Sequence, residues 1–401
     1  MIKTSNASCT PARLCYGALM LSVLIQTSTQ ATARDGFSYW QFEPGVRLNL
    51  FYDDNVRLSE IDQQNTFGTV AEVYSVFARR TEVSEFTLRA AAENLWFSDV
   101  SELNTTDGAI EAAYSLNLDR TTLGLASSFV YDSTLTSEEV TSGIVQVSKR
   151  RSFFDVTPSI GYAISERSRI SASYTFQDVS YDDASDIFLS NYQYMQGNLN
   201  AEYDLTERLT LLLGLLYTNF DSQQDPDQSD GYGGDFGVRY QWSERTTFRA
   251  LVGARKVDSR TVIDGIGINN NSTGPIFQVA FDRELGPGLA SVSLERSLLP
   301  SGRGTLLDTT QAIVALSYPV SERATARIRA MGVRNRNPDD GFVNFNDRDF
   351  LMLNPGLRWR VAENTWLDLS YRYRYQDREV VEGSADSNAF FIGFGHDWLS
   401  R

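Results

Sequence analysis

The sequence is short of several residue types, and each shortage removes a class of protein. It has two cysteines, Cys9 and Cys15, both at the extreme N-terminal end. The rest of the chain therefore has no disulfide framework and no thiol nucleophile. Histidine occurs once, as His396. One imidazole supports neither a Ser/His/acid triad nor a histidine-rich metal cluster. No enzyme, no metal and no cofactor is therefore expected. Lysine occurs only at Lys3, Lys149 and Lys256, so the chain relies on arginine for positive charge. With 36 basic and 51 acidic residues the net charge is −15. That balance argues against nucleic acid as a partner. Long apolar runs are missing too. Residues 14–25 form the single continuous one, and a membrane helix needs about 20. A helical membrane protein is excluded. A membrane barrel is not, because alternating strands keep the average hydropathy low. Aromatic residues, by contrast, make up 12% of the chain, too many for a disordered protein.

The first thirty-three residues read as an address. Lys3 and Arg13 form a positive n-region, residues 14–25 the apolar stretch, and Ala31-Thr32-Ala33 a small-residue cleavage site. This is the pattern of a secretory signal peptide. The expected division is a leader at 1–33 and one domain at 34–401. Without the leader the chain has no cysteine, and its net charge becomes −17.

The remaining chain repeats. Tyr162-Ala163-Ile164-Ser165-Glu166-Arg167 returns as Tyr203-Asp204-Leu205-Thr206-Glu207-Arg208, as Tyr240-Gln241-Trp242-Ser243-Glu244-Arg245 and as Tyr318-Pro319-Val320-Ser321-Glu322-Arg323. Trp359-Arg360-Val361-Ala362-Glu363-Asn364 is a weaker copy, and Phe281-Asp282-Arg283 fills the double step between 240 and 318. Degraded copies near residues 79 and 119 bring the number of tight turns to eight. The flanking segments alternate with a period of two. After Glu363, Leu367, Leu369, Tyr371, Tyr373 and Tyr375 share one face, and Asp368, Ser370, Arg372, Arg374 and Gln376 the other. Such alternation marks β-strands. The opposite ends of the segments run into nine longer polar connections: 53–66, 98–105, 132–149, 178–191, 221–231, 258–273, 299–307, 335–349 and 377–387.

Short turns at one end and long loops at the other are the signature of an all-β, antiparallel transmembrane β-barrel in the Gram-negative outer membrane. Nine loops join eighteen strands; sixteen is the alternative. A propeller also repeats at about 40 residues, but its blade packs four short strands into that length, where two long ones are read here. The repeated aromatics Tyr162, Tyr203, Tyr240, Phe281, Tyr318 and Trp359 are expected to form a girdle at the periplasmic interface, where an apolar ring with a polar tip is favoured. Pro158 and Pro355 fall inside strands, and a local bulge is expected at each.

The polar faces place Arg239, Arg249, Arg255, Arg327, Arg329, Arg358, Arg360, Arg372 and Arg374 toward the lumen, together with Glu202, Asp204, Asp235, Glu295 and Asp368. Two readings stand side by side. The arginines form a ladder of fixed charge for anions, or they pair with the lumen acids in a stiffening lattice. The loops carry acids instead: Asp53, Asp54, Glu60 and Asp62; Asp178, Asp182, Asp183 and Asp186; Asp221, Asp225, Asp227 and Asp230; Asp339, Asp340, Asp347 and Asp349. They read as solvated loops, or as divalent-cation bridges to lipopolysaccharide. His396 shares parity with Phe394 and Trp398, so it is expected on the outer face.

The first segment after the leader includes Pro44 and ends in Tyr52-Asp53-Asp54-Asn55. With the Ser-Glu-Arg hairpins, this resembles the β-barrel porin type 2 family of outer-membrane proteins. The resemblance implies a barrel that often accompanies exopolysaccharide or capsule export, with no catalytic residues. The expected function is a passive channel for anionic solutes or acidic polysaccharide. The alternatives are a non-conducting component of a polysaccharide export system, and a surface binding protein working through its acidic loops. Expected partners are outer-membrane lipid, lipopolysaccharide and polysaccharide export proteins.

Overall fold

A computed structural model describes residues 39–398, apart from 142, 144–146, 183–186, 188, 224–227, 264–265, 339–346 and 379–382. The expected leader, with Cys9 and Cys15, lies outside the described residues, as do Asp183, Asp186, Asp225, Asp227, Asp339 and Asp340.

Eighteen strands follow one another: β1 (Tyr39–Asp53), β2 (Thr66–Arg80), β3 (Ser84–Phe97), β4 (Thr105–Asn117), β5 (Thr121–Ser133), β6 (Arg150–Ala163), β7 (Ser168–Tyr181), β8 (Tyr192–Asp204) and β9 (Leu209–Ser222). Then come β10 (Gln228–Ser243), β11 (Thr246–Ile263), β12 (Ile266–Leu285), β13 (Gly288–Pro300), β14 (Leu306–Pro319), β15 (Ala324–Arg336), β16 (Arg348–Ala362), β17 (Thr365–Arg378) and β18 (Ser384–Asp397). Each pairs antiparallel with its neighbours in sequence, and β1 pairs with β18 from Gly45↔Asp397 to Asp53↔Ala389. The sheet closes on itself around the full ring. The expected all-β barrel of eighteen strands is the fold.

The eight short turns fall where the repeat places them, and the repeat's chemistry explains why. In the copies at 165, 206 and 321, a hydroxyl accepts backbone N–H groups two and three residues on. Ser165 Oγ accepts from Arg167 and Ser168 at 3.2 and 3.1 Å. Thr206 Oγ1 accepts from Arg208 and Leu209 at 3.2 and 3.0 Å, and Ser321 Oγ from Arg323 and Ala324 at 3.3 and 3.0 Å. The hydroxyl satisfies donors that no strand partner can reach.

Three expectations need correction. The loop expected over 258–273 is mostly sheet. β11 and β12 stay paired through Asp258↔Asn271 to Ile263↔Ile266. Nor do the prolines make bulges. The ladder lapses beside Pro158 and Pro355 and resumes in the same register, Val156↔Phe176 then Ser159↔Ser173, and Leu353↔Tyr373 then Gly356↔Ser370. Proline removes a donor but adds no residue, and the flanking pairs hold the strands in step. The register shifts sit at the turn ends instead, at Gln241/Ser243 and Arg360/Ala362. Asp53, finally, is no solvated loop acid; it is wholly buried.

The outer face is apolar. Leu48, Leu50, Val73, Ile110, Leu213, Leu215, Phe236, Val252, Val292, Val314, Ile328, Leu369, Phe390 and Ile392 are all exposed on it. A continuous belt of this kind is far beyond what a water-facing surface carries. At its turn-side edge Tyr162, Tyr203, Tyr240, Tyr318 and Trp359 point outward, with Phe281 half-buried. Two residues beyond, Ile164, Leu205, Trp242, Val320 and Val361 also point outward, widening the band.

Candidate functional site

Eighteen strands spaced about 4.8 Å apart and tilted about 40° enclose a lumen roughly 30–35 Å across between backbones. Side chains on the wall cannot fill such a space. In this barrel the loops do so at one end. Two apolar clusters lie inside the loop-side part of the wall. One joins Phe51, Phe97, Met331, Val333, Phe350 and Met352 of the strands to Val56, Leu58, Val100, Leu103 and Leu135 of the first three loops. The other joins Phe153, Val179, Tyr192, Tyr194, Phe220 and Val257 to Leu189 of the fourth loop. These wall positions have lumen parity yet are apolar, which marks where the interior is packed and dry.

The third loop, between β5 and β6, reaches across the lumen. It starts with one helical turn, Thr134–Ser137, and then presents Glu138 and Glu139. Tyr181 on β7 donates to Glu138 Oε1 at 2.6 Å. Arg374 on β17 donates to Glu139 Oε1 at 2.8 Å. Strands β7 and β17 stand eight apart by the shorter way round the ring. Two consecutive residues thus tie nearly opposite walls. Arg348 donates to the Glu139 carbonyl, and Asn335 Nδ2 to the carbonyls of Val140 and Thr141 at 3.2 and 2.8 Å. Burial opposes the charge on Glu139, but Arg374, Arg372 and Arg348 outweigh it and hold the carboxyl below the ordinary range.

The first loop is drawn in by the Tyr-Asp-Asp-Asn motif. Asp53 accepts from Arg374 at 2.9 Å, Arg372 at 3.3 Å, Ser387 at 2.7 Å and the Asn55 N–H at 3.0 Å. Asp54 accepts the backbone and side-chain N–H groups of Asn388 at 2.6 and 2.9 Å, sealing the β1–β18 seam. Asn55 is buried and donates to the carbonyls of Ser59 and Asp386. Tyr52 faces outward and packs on Phe67 at 5.0 Å.

All nine expected lumen arginines sit on inward-facing positions, but they do not line one open path. Arg374 and Arg255 are each 3% exposed, buried in the packed loop-side region rather than wetted. Arg255 meets Asp308 at 2.7 Å. Nearer the turns, Arg239 meets Glu202 at 2.9 Å, and Arg327 and Arg358 share Asp368, the latter through a fork at 2.9 and 2.8 Å. Arg360 donates to the Glu322 carbonyl at 2.6 Å. Arg249 and Arg329 are half-buried on the inner face.

The charge is distributed unevenly round the wall. Among the described inward residues of β15, β16 and β17 there are eight arginines (327, 329, 348, 358, 360, 372, 374, 378) and one acid, Asp368. Strands β2 to β6 carry mainly acids inward, among them Glu72, Glu93, Glu111 and Asp155. Glu72 is held by Arg47 and Arg89 at 3.0 and 2.6 Å. The lumen therefore has a basic side and an acidic side. His396 stands apart on the outer face, 2.8 Å from Thr365 Oγ1 and edge-on to Trp398.

Sequence parity finds the inward arginines but misses Asp53 and Glu139 as their partners, and Glu138 as the acceptor for Tyr181. The motif at 52–55 signals the first; the third loop carries no motif of its own.

Fold and interior together define a transmembrane-type barrel whose wide lumen is narrowed by its own loops. No family model matches the chain, and no curated protein matches it. Among solved structures it is similar to the outer membrane protein OpdK from Pseudomonas aeruginosa, at 12% identity over 89% of this chain and 99% of that one, with a TM-score of 0.46. It is also similar to OccAB2 of Acinetobacter baumannii, at 12% identity over 90% and 98% with a TM-score of 0.46. The copper transporter OprC matches at 9% identity over 92% and 82%, with a TM-score of 0.44.

Proposed function

We propose that this chain is an outer-membrane channel for small anionic solutes, with the third loop as its constriction. The observation that carries the reading is the basic side of the lumen on β15–β17, where Arg327, Arg329, Arg358 and Arg360 stand below the packed loops with one acid, Asp368, among them. Like charges held side by side cost stability, and a passing anion is the function that uses them. Arginine remains charged at every working pH, and its fork fits carboxylate and phosphate. The acidic side on β2–β6 adds a field across the lumen, which orients a solute with its anionic end toward β15–β17. The contact from Tyr181 through Glu138 and Glu139 to Arg374 favours small solutes over a polymer, since a polysaccharide needs a wider path.

The same contact supports one alternative, a non-conducting component of a polysaccharide export system with its lumen shut. Purified protein in planar bilayers separates the two. Discrete conductance steps with anion selectivity support the channel. Absent conductance, with export proteins co-purifying, supports the alternative.

A further inference from the structure

The wall is stepped at one seam. β12 and β13 pair from Leu285↔Gly288 as far as Phe277↔Arg296, and there the ladder stops, although β12 extends back to Ile266 and β13 on to Pro300. Among the described residues, the backbone of β12 from Thr273 to Ile276 pairs with β11 alone. Pro275 has no N–H to offer a neighbour. On the other side of the seam the β13–β14 hairpin leans inward. Its Gly302 carbonyl accepts the Ser190 N–H of the fourth loop at 2.7 Å. The register, if continued, would pair Ile276 with Ser297 and so on to Thr273 with Pro300, about 13 Å of seam at roughly 3.4 Å per residue.

Side chains take the place of the missing ladder. Leu298 and Leu306 hold outward positions on β13 and β14, in line with Leu294 and Val314, yet both are buried in one cluster with the inward Val257 of β11. Arg255 faces inward on β11 and Asp308 outward on β14, and the two meet at 2.7 Å. In an unbroken wall an inward and an outward side chain lie on opposite faces. Here the inner face of the β11–β12 hairpin covers the outer face of the β13–β14 hairpin. The joint between them is a slot closed by side chains.

We propose that this slot is a lateral portal through which a long-chain carboxylate passes between the outer leaflet and the barrel interior. Three features set that chemistry. The slot begins beside Phe277 and Leu294, at the loop-side edge of the apolar belt, so an amphiphile in the leaflet meets it directly. Arg255 and Arg296 share the one carboxylate of Asp308, at 2.7 and 2.8 Å. The group they embrace is already a carboxylate, and two guanidiniums on one acid leave a positive charge that attracts a second. Behind them the cluster continues through Val179, Tyr194 and Phe220, an apolar seat for the chain. The Arg255–Asp308 contact is the latch, since it joins the two layers and parts when they separate. With no ladder bonds to break, opening costs less here than at a paired seam. The proposal rests on the reading of the chain as an outer-membrane channel.

The test is photolabelling of the full chain in liposomes with a diazirine-bearing long-chain fatty acid, and with its trimethylammonium analogue as the control on charge. Labelled peptides are identified by mass spectrometry. G274C/L299C, treated with a short bis-methanethiosulfonate, locks the slot; G274C and L299C alone, treated alike, are its controls. D308N removes the acid of the latch. Heat-modifiable gel mobility establishes that each variant is folded, and small-anion conductance in planar bilayers is measured on the same preparations. In wild type the fatty acid should label the inward Val257 and Tyr194 as well as the outward Phe277. The lock should cut inner labelling about tenfold and leave outer labelling and conductance unchanged, and D308N should raise inner labelling. Inner labelling that is missing in wild type, or equal in the locked barrel, overturns the proposal. So does equal inner labelling by the ammonium analogue. Should the double variant not fold, inner labelling that folded D308N leaves unchanged overturns it instead. Conductance without inner labelling overturns the portal alone; absent conductance overturns the channel reading beneath it.

Discussion

Glu139→Gln is the sharpest probe of the constriction. The substitution keeps an acceptor for Arg374 and changes little in volume, so it removes mainly one negative charge. That charge lies against Arg374 at 2.8 Å, with Arg372 and Arg348 close by. Without it, Asp53 remains the acid beside Arg372 and Arg374, and Arg348 keeps the loop's carbonyl. A buried charged hydrogen bond lost in this way costs about 2–3 kcal/mol. The cost falls on the seated state of the loop, so the unseated fraction should rise roughly 30- to 150-fold. Single-channel recording reads that change as more frequent or larger openings in E139Q. The pH dependence follows from the same pair. The Glu139 carboxyl is held below its ordinary range when the loop is seated, so protons bind more readily to the unseated loop. The stabilisation is complete above the ordinary carboxylate range and is lost as pH falls through and below it. Wild type should therefore gate more often only in strong acid, and E139Q should lose most of that response. Openings identical in wild type and E139Q at neutral pH would refute the assignment of this loop as the constriction.

Other substitutions test other parts of the account. Asp53→Asn leaves Arg372 and Arg374 facing a neutral group at a wholly buried site; it should cost about 3–5 kcal/mol and lower the heat-modifiable unfolding transition measured on gels. Ser321→Ala removes a hydroxyl that accepts two turn N–H groups; it should cost about 0.5–1.5 kcal/mol, seen as slower refolding into liposomes with an unchanged final barrel. Tyr203→Ala takes an exposed ring from the turn-side edge of the belt; it should slow insertion into bilayers while leaving conductance as in wild type.

The fold was legible because its signals are local. Alternation along β17 and the Ser-Glu-Arg turns need only neighbouring residues, and both survive in a single sequence. The 258–273 segment lacks such a local signal. Past the apolar belt 258–261 and 269–273 are polar at every position, and the alternation that reveals a strand is gone. The interior was only half visible. Parity gives the direction of Arg372 and Arg374, but their partners Asp53 and Glu139 lie 321 and 235 residues away. The sequence does carry a sign of the inward loops: Met331, Val333, Phe350 and Met352 occupy lumen positions yet are apolar. In a barrel filled with water those positions would be polar, so they mark where the loops turn inward.

The central claim is that the inward arginines of β15–β17 nearer the turns, Arg327, Arg329, Arg358 and Arg360, select for anions. The reversal potential across a planar bilayer under a salt gradient measures that most directly. Wild type should show anion preference, and Arg329→Glu, which reverses one charge on that wall, should reduce or invert it. Cation preference in wild type, or a reversal potential that R329E leaves unmoved, would contradict the claim.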